Sequence, residues 1–90
     1  MLSVYVPGPL RGFTGGTDVV ELDTAPGPLR EVLAALFARH PGLRDRVLTD
    51  TGELRRHVNV FIGPERSRLD TPVPDGAEIS ILPAVSGGRS

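Results

Sequence analysis

The chain has 90 residues and no cysteine. This excludes a disulfide scaffold, a thiolate zinc site and a thiol nucleophile, and it leaves one small domain whose folding depends on packing. Ten arginines, no lysine and eleven carboxylates give a formal net charge of −1. Because the basic pairs are dispersed among carboxylates, we expect a mixed solvated surface and not the concentrated basic face that nucleic-acid binding needs.

The sequence predicts neither a membrane span nor a signal peptide. No apolar run approaches the roughly 20 residues of a membrane span, and residues 1–7 alternate where a signal peptide would have an apolar core. A cytoplasmic protein is therefore expected. The lack of lysine also removes every ε-amine through which copies of the chain could be linked by an isopeptide bond.

Two strands are predicted at the start of the chain. Residues 2–7 alternate between apolar and polar side chains, and Pro7-Gly8-Pro9 ends the run. A glycine-containing link leads to a second strand at about Thr17–Leu22, which predicts an antiparallel hairpin. The link lacks the Lys-Ser/Thr ending of a phosphate-binding loop and joins strand to strand, so it is interpreted as a turn.

The next element is an amphipathic helix with Pro28 in its first position. One apolar stripe recurs at the helical period: Leu29, Val32, Leu33, Leu36 and Phe37. Arg39 and His40 fall in the last turn, where positive charge meets the negative end of the helix, and Pro41-Gly42 ends it. The stripe is interpreted as core.

Less regular segments follow the helix. Leu43 and Val47 can anchor a short helical turn in a weakly patterned stretch. Val58–Ile62 is the clearest strand of the chain because its apolar residues alternate. Residues 65–69 are predicted as a short edge strand, and residues 72–76 as a long turn.

The last predicted strand spans Ala77–Leu82, and Pro83 is expected to end its pairing. The order strand, strand, helix, strand, short strand, strand predicts a two-layer α+β domain with one mostly antiparallel sheet. We expect the helix stripe to pack on the sheet face that carries Val4, Val6, Val58, Val60, Ile79 and Ile81.

No residue pattern predicts a catalytic or metal site. His40 is explained as a charge at the helix end and His57 opens a strand; neither has a second ligand or an orienting carboxylate at a suitable spacing. Phe61 and Leu82, in contrast, are apolar at outward-facing positions. If their strands are neighbours, these two side chains form an exposed patch suited to docking a partner.

Residues 84–90 are predicted to be a flexible tail that follows a domain of residues 1–83. Gly87 and Gly88 lack Cβ atoms, so they fit a channel too narrow for other residues. Extended, the tail would carry Gly88 on the order of 16 Å from the domain. A frayed terminus without a role is the alternative interpretation.

Three segments carry a resemblance to a known family: Val58–Ile62, Asp75–Ile79 and Ile81–Gly88. They are similar to the ubiquitin-like sulfur-carrier proteins of the ThiS and MoaD type. Leu10-Arg11 and Thr14–Gly16 resemble more closely the CysO-type carriers of cysteine biosynthesis. The resemblance covers nearly the whole chain and implies a β-grasp fold, in which a mixed sheet of four to five strands packs on one main helix.

The resemblance also implies a function. In this family a partner resembling ubiquitin-activating enzymes, an adenylyltransferase and sulfurtransferase, uses ATP to activate the C-terminal glycine. The resulting thiocarboxylate passes its sulfur to an accepting synthase. By this resemblance Gly88 would carry the sulfur and Gly87 would give steric access. The chain would be a protein cosubstrate and not an enzyme, and would bind no cofactor itself.

Arg89 and Ser90 depart from the family pattern because they hold the Gly88 carbonyl in a peptide bond. Either the chain is a precursor trimmed by a JAMM-class metallopeptidase, or the two residues are a cloning remnant; the precursor is favoured because no other tag residue is present. Two further functions stay open. The chain could be a small subunit of molybdopterin synthase, or a ubiquitin-like modifier or interaction module.

Overall fold

A five-stranded mixed sheet lies against one main helix in the computed structural model, which describes residues 1–83. The helices are α1 (Leu29–Arg39) and α2 (Arg44–Val47), with 3-10 turns at Gly8–Phe13 and Pro41–Leu43. The strands are β1 Leu2–Tyr5, β2 Val19–Leu22, β3 Gly27–Pro28, β4 Val58–Ile62, β5 Glu65–Arg66, β6 Pro72–Val73 and β7 Glu78–Pro83. The predicted tail, residues 84–90, lies outside the described residues.

The large sheet has the strand order β2-β1-β7-β4-β5. Its central pair, β1 and β7, is parallel, and the other three pairs are antiparallel. The predicted hairpin of the first two strands is confirmed, as is a mostly antiparallel sheet with one main helix. The prediction did not identify a second, two-stranded ladder, in which β3 pairs with β6.

The core lies between α1 and the inner face of the sheet. All five residues of the predicted helix stripe are buried, and four of them have no exposed surface. The sheet residues predicted to face the helix are buried as well: Val4, Val6, Val58, Val60, Ile79 and Ile81. Burial of apolar surface is therefore the main stabilising contribution, as expected for a small chain without disulfides.

Helix α1 begins one residue later than predicted, since Pro28 is its extended N-cap residue and belongs to β3. No side chain caps this end. Instead, the backbone N–H groups of Leu29 and Arg30 donate to the carbonyl oxygens of Thr71 (2.9 Å) and Leu69 (2.8 Å). The segment that leads into β6 thus satisfies two donors that a helix leaves free at its start.

The segment 72–76 is more than the predicted turn, because Pro72 and Val73 form β6 opposite Pro28 and Gly27. This ladder could not be recognised in the sequence, because two residues are too few to produce a hydrophobic period and prolines argue against strands. Val73 is buried, which ties this ladder to the core.

At its other end, α1 protects the free edge of β2. The Val6 N–H donates to the Asp18 carbonyl oxygen at 2.7 Å, so the alternation of an antiparallel ladder turns the backbone groups of Val19 and Glu21 away from β1. Arg39 Nη1 donates to the Glu21 carbonyl oxygen at 2.6 Å. The side chain of Arg39 therefore covers part of an edge that would otherwise be open to strand pairing.

Pro83 belongs to β7, so the prediction that it ends the pairing is wrong by one residue. The Gly63 N–H donates to the Glu78 carbonyl oxygen, which fixes the alternation along β4 and β7. By that alternation, Pro83 and Val58 form a pair that exchanges no backbone hydrogen bond. A missing N–H costs nothing at such a position.

The predicted edge strand 65–69 is shorter in the structure, where β5 comprises Glu65 and Arg66. Beyond them, Ser67 bonds to β4 through two donors: its N–H and its hydroxyl both reach the Val60 carbonyl oxygen, at 2.9 and 2.8 Å. The predicted helical turn near Leu43 and Val47 is confirmed, and both residues are fully buried.

The start of β1 is joined to the turn before β7 by an ion pair. The Met1 amino group donates to Asp75 Oδ1 at 2.8 Å. This hydrogen bond raises the pKa of the amino group and lowers the pKa of the Asp75 carboxyl. Both groups are exposed, so the pair is screened by salt.

The two faces of β7 predict a sharp contrast between neighbouring residues. Ile81→Ala is expected to lower the free energy of unfolding by about 2–5 kcal/mol, because it leaves a cavity in a fully buried site. The control, Leu82→Ala, lies on the outer face and is expected to cost less than about 1 kcal/mol. Urea unfolding measures both; equal losses would contradict this assignment of faces.

The ion pair predicts a window in the pH dependence of stability. The depressed pKa of Asp75 contributes stability that is lost as the pH falls through it, and the raised pKa of the Met1 amino group contributes stability that is lost as the pH rises through it. The Tm of the wild type should therefore exceed the Tm of Asp75→Asn only at pH values between these two pKa values. Asp70→Asn, at an exposed aspartate with no ion pair among residues 1–83, is the control. A difference that persists at about 1 M salt would contradict an electrostatic origin.

Candidate functional site

The centre of the candidate site is the end of β7, from which residues 84–90 continue. This strand lies between β1 and β4, and its last residue, Pro83, is opposite Val58. The predicted sulfur-carrying, access and processing residues, Gly88, Gly87, Arg89 and Ser90, lie outside the described residues, so their roles stay predictions. The described structure fixes the surface from which they extend.

Phe61 and Leu82 lie on neighbouring strands, as the predicted exposed patch requires. Phe61 is opposite Ser80 and Leu82 is opposite Asn59, so the two apolar residues are diagonal neighbours on the outer face of the sheet. Leu82 is 39% exposed and Phe61 is half-buried. Docking of a partner on these residues stays a prediction.

Tyr5 and Val19 extend this apolar surface and were not singled out from the sequence. Tyr5 pairs with Ser80 on one side and with Val19 on the other, and the exposed fractions of the two residues are 38% and 43%. We call Val19, Tyr5, Phe61 and Leu82 the outer apolar row. Tyr5 and Phe61 lie on either side of Ser80, and this arrangement depends on strand order, which one sequence does not encode.

Arg11 contacts Tyr5, one residue of this row, and holds its side chain in place. Its Nη2 donates to the Tyr5 hydroxyl and its Nε donates to the Val6 carbonyl oxygen, both at 3.1 Å. The guanidinium carbon also lies 5.7 Å from the centroid of the Tyr5 ring. Arg11 therefore fixes the orientation of an exposed aromatic residue, and it belongs to the 3-10 turn that replaces the predicted loop after β1.

A cleft of about 410 Å³ lies at the base of the tail, between the first 3-10 turn and the end of β7. Its lining includes Phe13, Arg46, His57, Val58 and Pro83. The Arg46 guanidinium stacks on the Phe13 ring, 4.9 Å from its centroid. The structure thus brings a cation and a histidine to the point where the tail begins, although the sequence separates them widely.

A glycine packs closely against an aromatic ring beside this cleft. A Cβ atom on Gly42 would lie 3.0 Å from Phe13 Cδ1, which is closer than ordinary van der Waals contact. The Pro41-Gly42 pair that ends α1 therefore also leaves space for the Phe13 ring. Gly42 thus contributes both to the end of the helix and to the packing of the cleft.

The two histidines lie apart in the structure. His57 lines the cleft at the base of the tail, whereas His40 lines a separate depression beside Glu21 and Arg39 at the β2 edge. Within residues 1–83 no cluster of three or more His, Asp or Glu side chains is close enough to hold a metal ion. Nor does that part of the chain contain a helix with the length and apolar character needed to cross a membrane.

Comparison with known proteins gives matches over almost the whole chain. Residues 4–88 match the model of the ThiS family. The sulfur carrier protein CysO of Mycobacterium tuberculosis is 34% identical over 93 aligned positions, which cover 97% of this chain and 98% of that protein.

Solved structures show the same fold. A chain of the Amycolatopsis orientalis BexX/CysO complex superposes with a TM-score of 0.87 at 33% identity, covering 98% of this chain and 100% of the other. Small archaeal modifier protein 1 of Haloferax volcanii gives a TM-score of 0.85 at 32% identity, covering 97% and 98%. The resemblance and the β-grasp fold inferred from the sequence are thereby confirmed, and the chain belongs to the ThiS family.

Proposed function

We propose that this protein is a sulfur carrier whose C-terminal glycine is converted to a thiocarboxylate that supplies sulfur for cysteine biosynthesis. The observation that carries the proposal is the full-length match to CysO in both sequence and shape. The family match also ends at Gly88, the second glycine, and leaves out Arg89 and Ser90. This supports removal of those two residues before sulfur is loaded.

The proposed chemistry takes place at the Gly88 carbonyl. A peptidase adds water across the Gly88–Arg89 bond and releases the dipeptide Arg-Ser. The freed carboxylate attacks the α-phosphorus of ATP, pyrophosphate leaves, and an acyl adenylate forms. Sulfide then attacks the carbonyl carbon, a C–S bond forms, and the C–O bond to AMP breaks. No oxidant is needed because sulfide already carries reduced sulfur.

In this scheme the partners provide ATP, sulfide and catalysis: an activating adenylyltransferase, a sulfur-accepting synthase and a JAMM-class metallopeptidase. The chain provides a narrow C-terminus and a surface for docking. The outer apolar row suits docking because it is exposed and ends at Leu82, one residue before the end of β7. A partner bound there would hold the tail within reach of its own active site.

A second candidate function is supported by the similarity to small archaeal modifier protein 1, which matches as well in shape as the CysO chains do. As a modifier, the chain would be transferred from the same acyl adenylate to an amine of another protein. A third, the small subunit of molybdopterin synthase, would keep the tail inserted in a larger subunit. The three functions differ in what happens to the activated Gly88 carbonyl.

Intact-mass spectrometry distinguishes them. The full chain is incubated with the adenylyltransferase of the same organism, ATP and sulfide, with and without the metallopeptidase. We expect loss of Arg-Ser followed by replacement of one oxygen by sulfur. A chain that ends at Gly88 is the positive control, and it should gain sulfur without the peptidase.

Failure of that control to gain sulfur with any adenylyltransferase of the organism would contradict the sulfur-carrier proposal. Conjugates on lysines of other proteins would favour a modifier. Stable co-purification with a larger subunit would favour molybdopterin synthase. If the control gains sulfur but the full chain is never trimmed, the carrier proposal stands and the processing step fails.

Docking on the outer apolar row predicts a selective loss on Leu82→Asp. The variant is expected to lower kcat/KM for thiocarboxylate formation about tenfold or more, because it places a charge in an apolar contact, and loss of an interface hot spot costs about 2 kcal/mol or more. Ala34→Asp adds the same charge at an exposed position of α1, away from the row, and should change the rate little. Equal effects of the two variants, with both proteins folded by circular dichroism, would contradict docking at Leu82.

A further inference from the structure

The fold gathers arginines that the sequence disperses. Arg55 and Arg56 precede β4, whereas Arg66 and Arg68 lie in and after β5. In the structure all four line one groove of about 640 Å³ at the β4–β5 edge of the sheet. The groove is completed by Leu54, Val58, Asn59, Val60 and Ser67. We call it the arginine groove; the surface expected from the sequence was mixed, so this concentration is a structural finding.

The arginines of the groove form no ion pair within the described part of the chain. No lining residue is acidic. Within residues 1–83 the ion pairs are those of Met1 with Asp75 and of Arg44 with Asp45, so no groove arginine takes part in one. Four arginines therefore line one groove in a molecule whose formal net charge is −1.

One of these arginines is held in place. Arg55 Nε donates to the Asp45 carbonyl oxygen at 2.6 Å, and Arg55 is partly buried, whereas Arg56, Arg66 and Arg68 are exposed. A guanidinium group fixed through Nε keeps its terminal nitrogens available for a carboxylate. Because less side-chain entropy is lost when such a group binds, it favours a defined contact over a diffuse one.

The groove is adjacent to the candidate site. Val58 lines the groove and also the cleft at the base of the tail, and it is opposite Pro83. Asn59 lines the groove and is opposite Leu82 of the outer apolar row. A protein that receives the tail and covers Leu82 would therefore lie close to this edge of the sheet.

We propose that the arginine groove binds acidic side chains of the partner enzyme that receives the C-terminal tail. This inference rests on the proposed function and adds the chemistry of the partner's surface: Asp or Glu side chains placed beside the entrance for the tail. Guanidinium groups bind carboxylates through paired hydrogen bonds. Their concentrated charge would also steer the partner toward the end of the sheet from which the tail extends.

A protein partner suits the groove better than a small phosphate. The arginines come from two segments of the chain, residues 55–56 and residues 66–68, which we call the two walls of the groove. The lining residues belong to a strand and to the segments beside it, so no glycine-rich loop or helix start aims backbone N–H groups at one point. An extended groove of this kind suits several carboxylates carried on a surface.

The test uses one charge reversal on each wall, Arg56→Glu and Arg68→Glu. Arg30→Glu, at an exposed arginine outside the groove, is the matched control. Binding of the chain ending at Gly88 to the adenylyltransferase of the same organism is measured by calorimetry without ATP, so the readout does not depend on sulfur transfer. At low salt each groove variant is expected to bind about tenfold more weakly than wild type, and the control within about twofold.

Raising the salt to about 1 M should bring the groove variants and wild type together, since exposed charges are then screened. In steady-state assays KM should rise while kcat at saturation stays unchanged, because the arginines act on encounter and binding. Groove variants that bind as well as wild type at low salt would overturn the proposal, as would a loss that does not depend on salt.

Two further outcomes separate this proposal from its alternatives. If ATP or inorganic phosphate alone shifts the NMR signals of residues 55–60 and 66–68 and displaces the enzyme, the groove is a small-anion site and the proposal is wrong. If wild type binds and gains sulfur while the groove variants match it, the arginine groove fails and the carrier function stands. If wild type neither binds nor gains sulfur, both proposals fail.

Discussion

The parallel pairing of β1 with β7 is the constraint on which the rest of the structure depends. It joins the first and last strands of the described chain, and its register sets Val4 beside Ile79 in the core. With these two strands central, β2 can only extend one edge of the sheet and β4 with β5 the other. Parallel neighbours also need a long connection, and the intervening chain supplies the helix that covers the inner face.

The two faces of β7 have different roles: one contributes to the stability of the core, and the other lies on the surface proposed for recognition. Ile79 and Ile81 are directed into the core, while Ser80 and Leu82 lie on the outer face. The outer face can therefore carry apolar residues for a partner without changing the packing beneath. The same strand delivers the chain to the end of the sheet, so the proposed docking surface and the tail are covalently continuous. The position of the docking surface relative to the end of β7 is fixed by backbone pairing, which is stiffer than a linker.

Much of the fold could be predicted because it depends on local periodicity. The helical stripe from Leu29 to Phe37 and the alternation of Val58–Ile62 identify which side chains are buried. What could not be predicted depends on pairing between distant segments. The β3–β6 ladder is too short to have a period, and the contribution of Tyr5 to the outer row required knowing that β1 lies next to β7. The arginine groove likewise requires the contact between the segments before β4 and after β5.

The same parallel pairing bears on the reactivity of the proposed intermediate. An acyl adenylate at Gly88 reacts with amines, and because the chain has ten arginines and no lysine, guanidinium groups that stay protonated replace the ε-amines of lysine. The Met1 amino group is the one aliphatic amine of the sequence. Since β1 and β7 run in the same direction, Met1 lies at the start of β7 and the tail leaves from its other end, about 17 Å away. Asp75 raises the pKa of this amine, which favours its protonated form. Lysine amines, which would compete with sulfide for the activated carbonyl, are therefore absent from the chain itself.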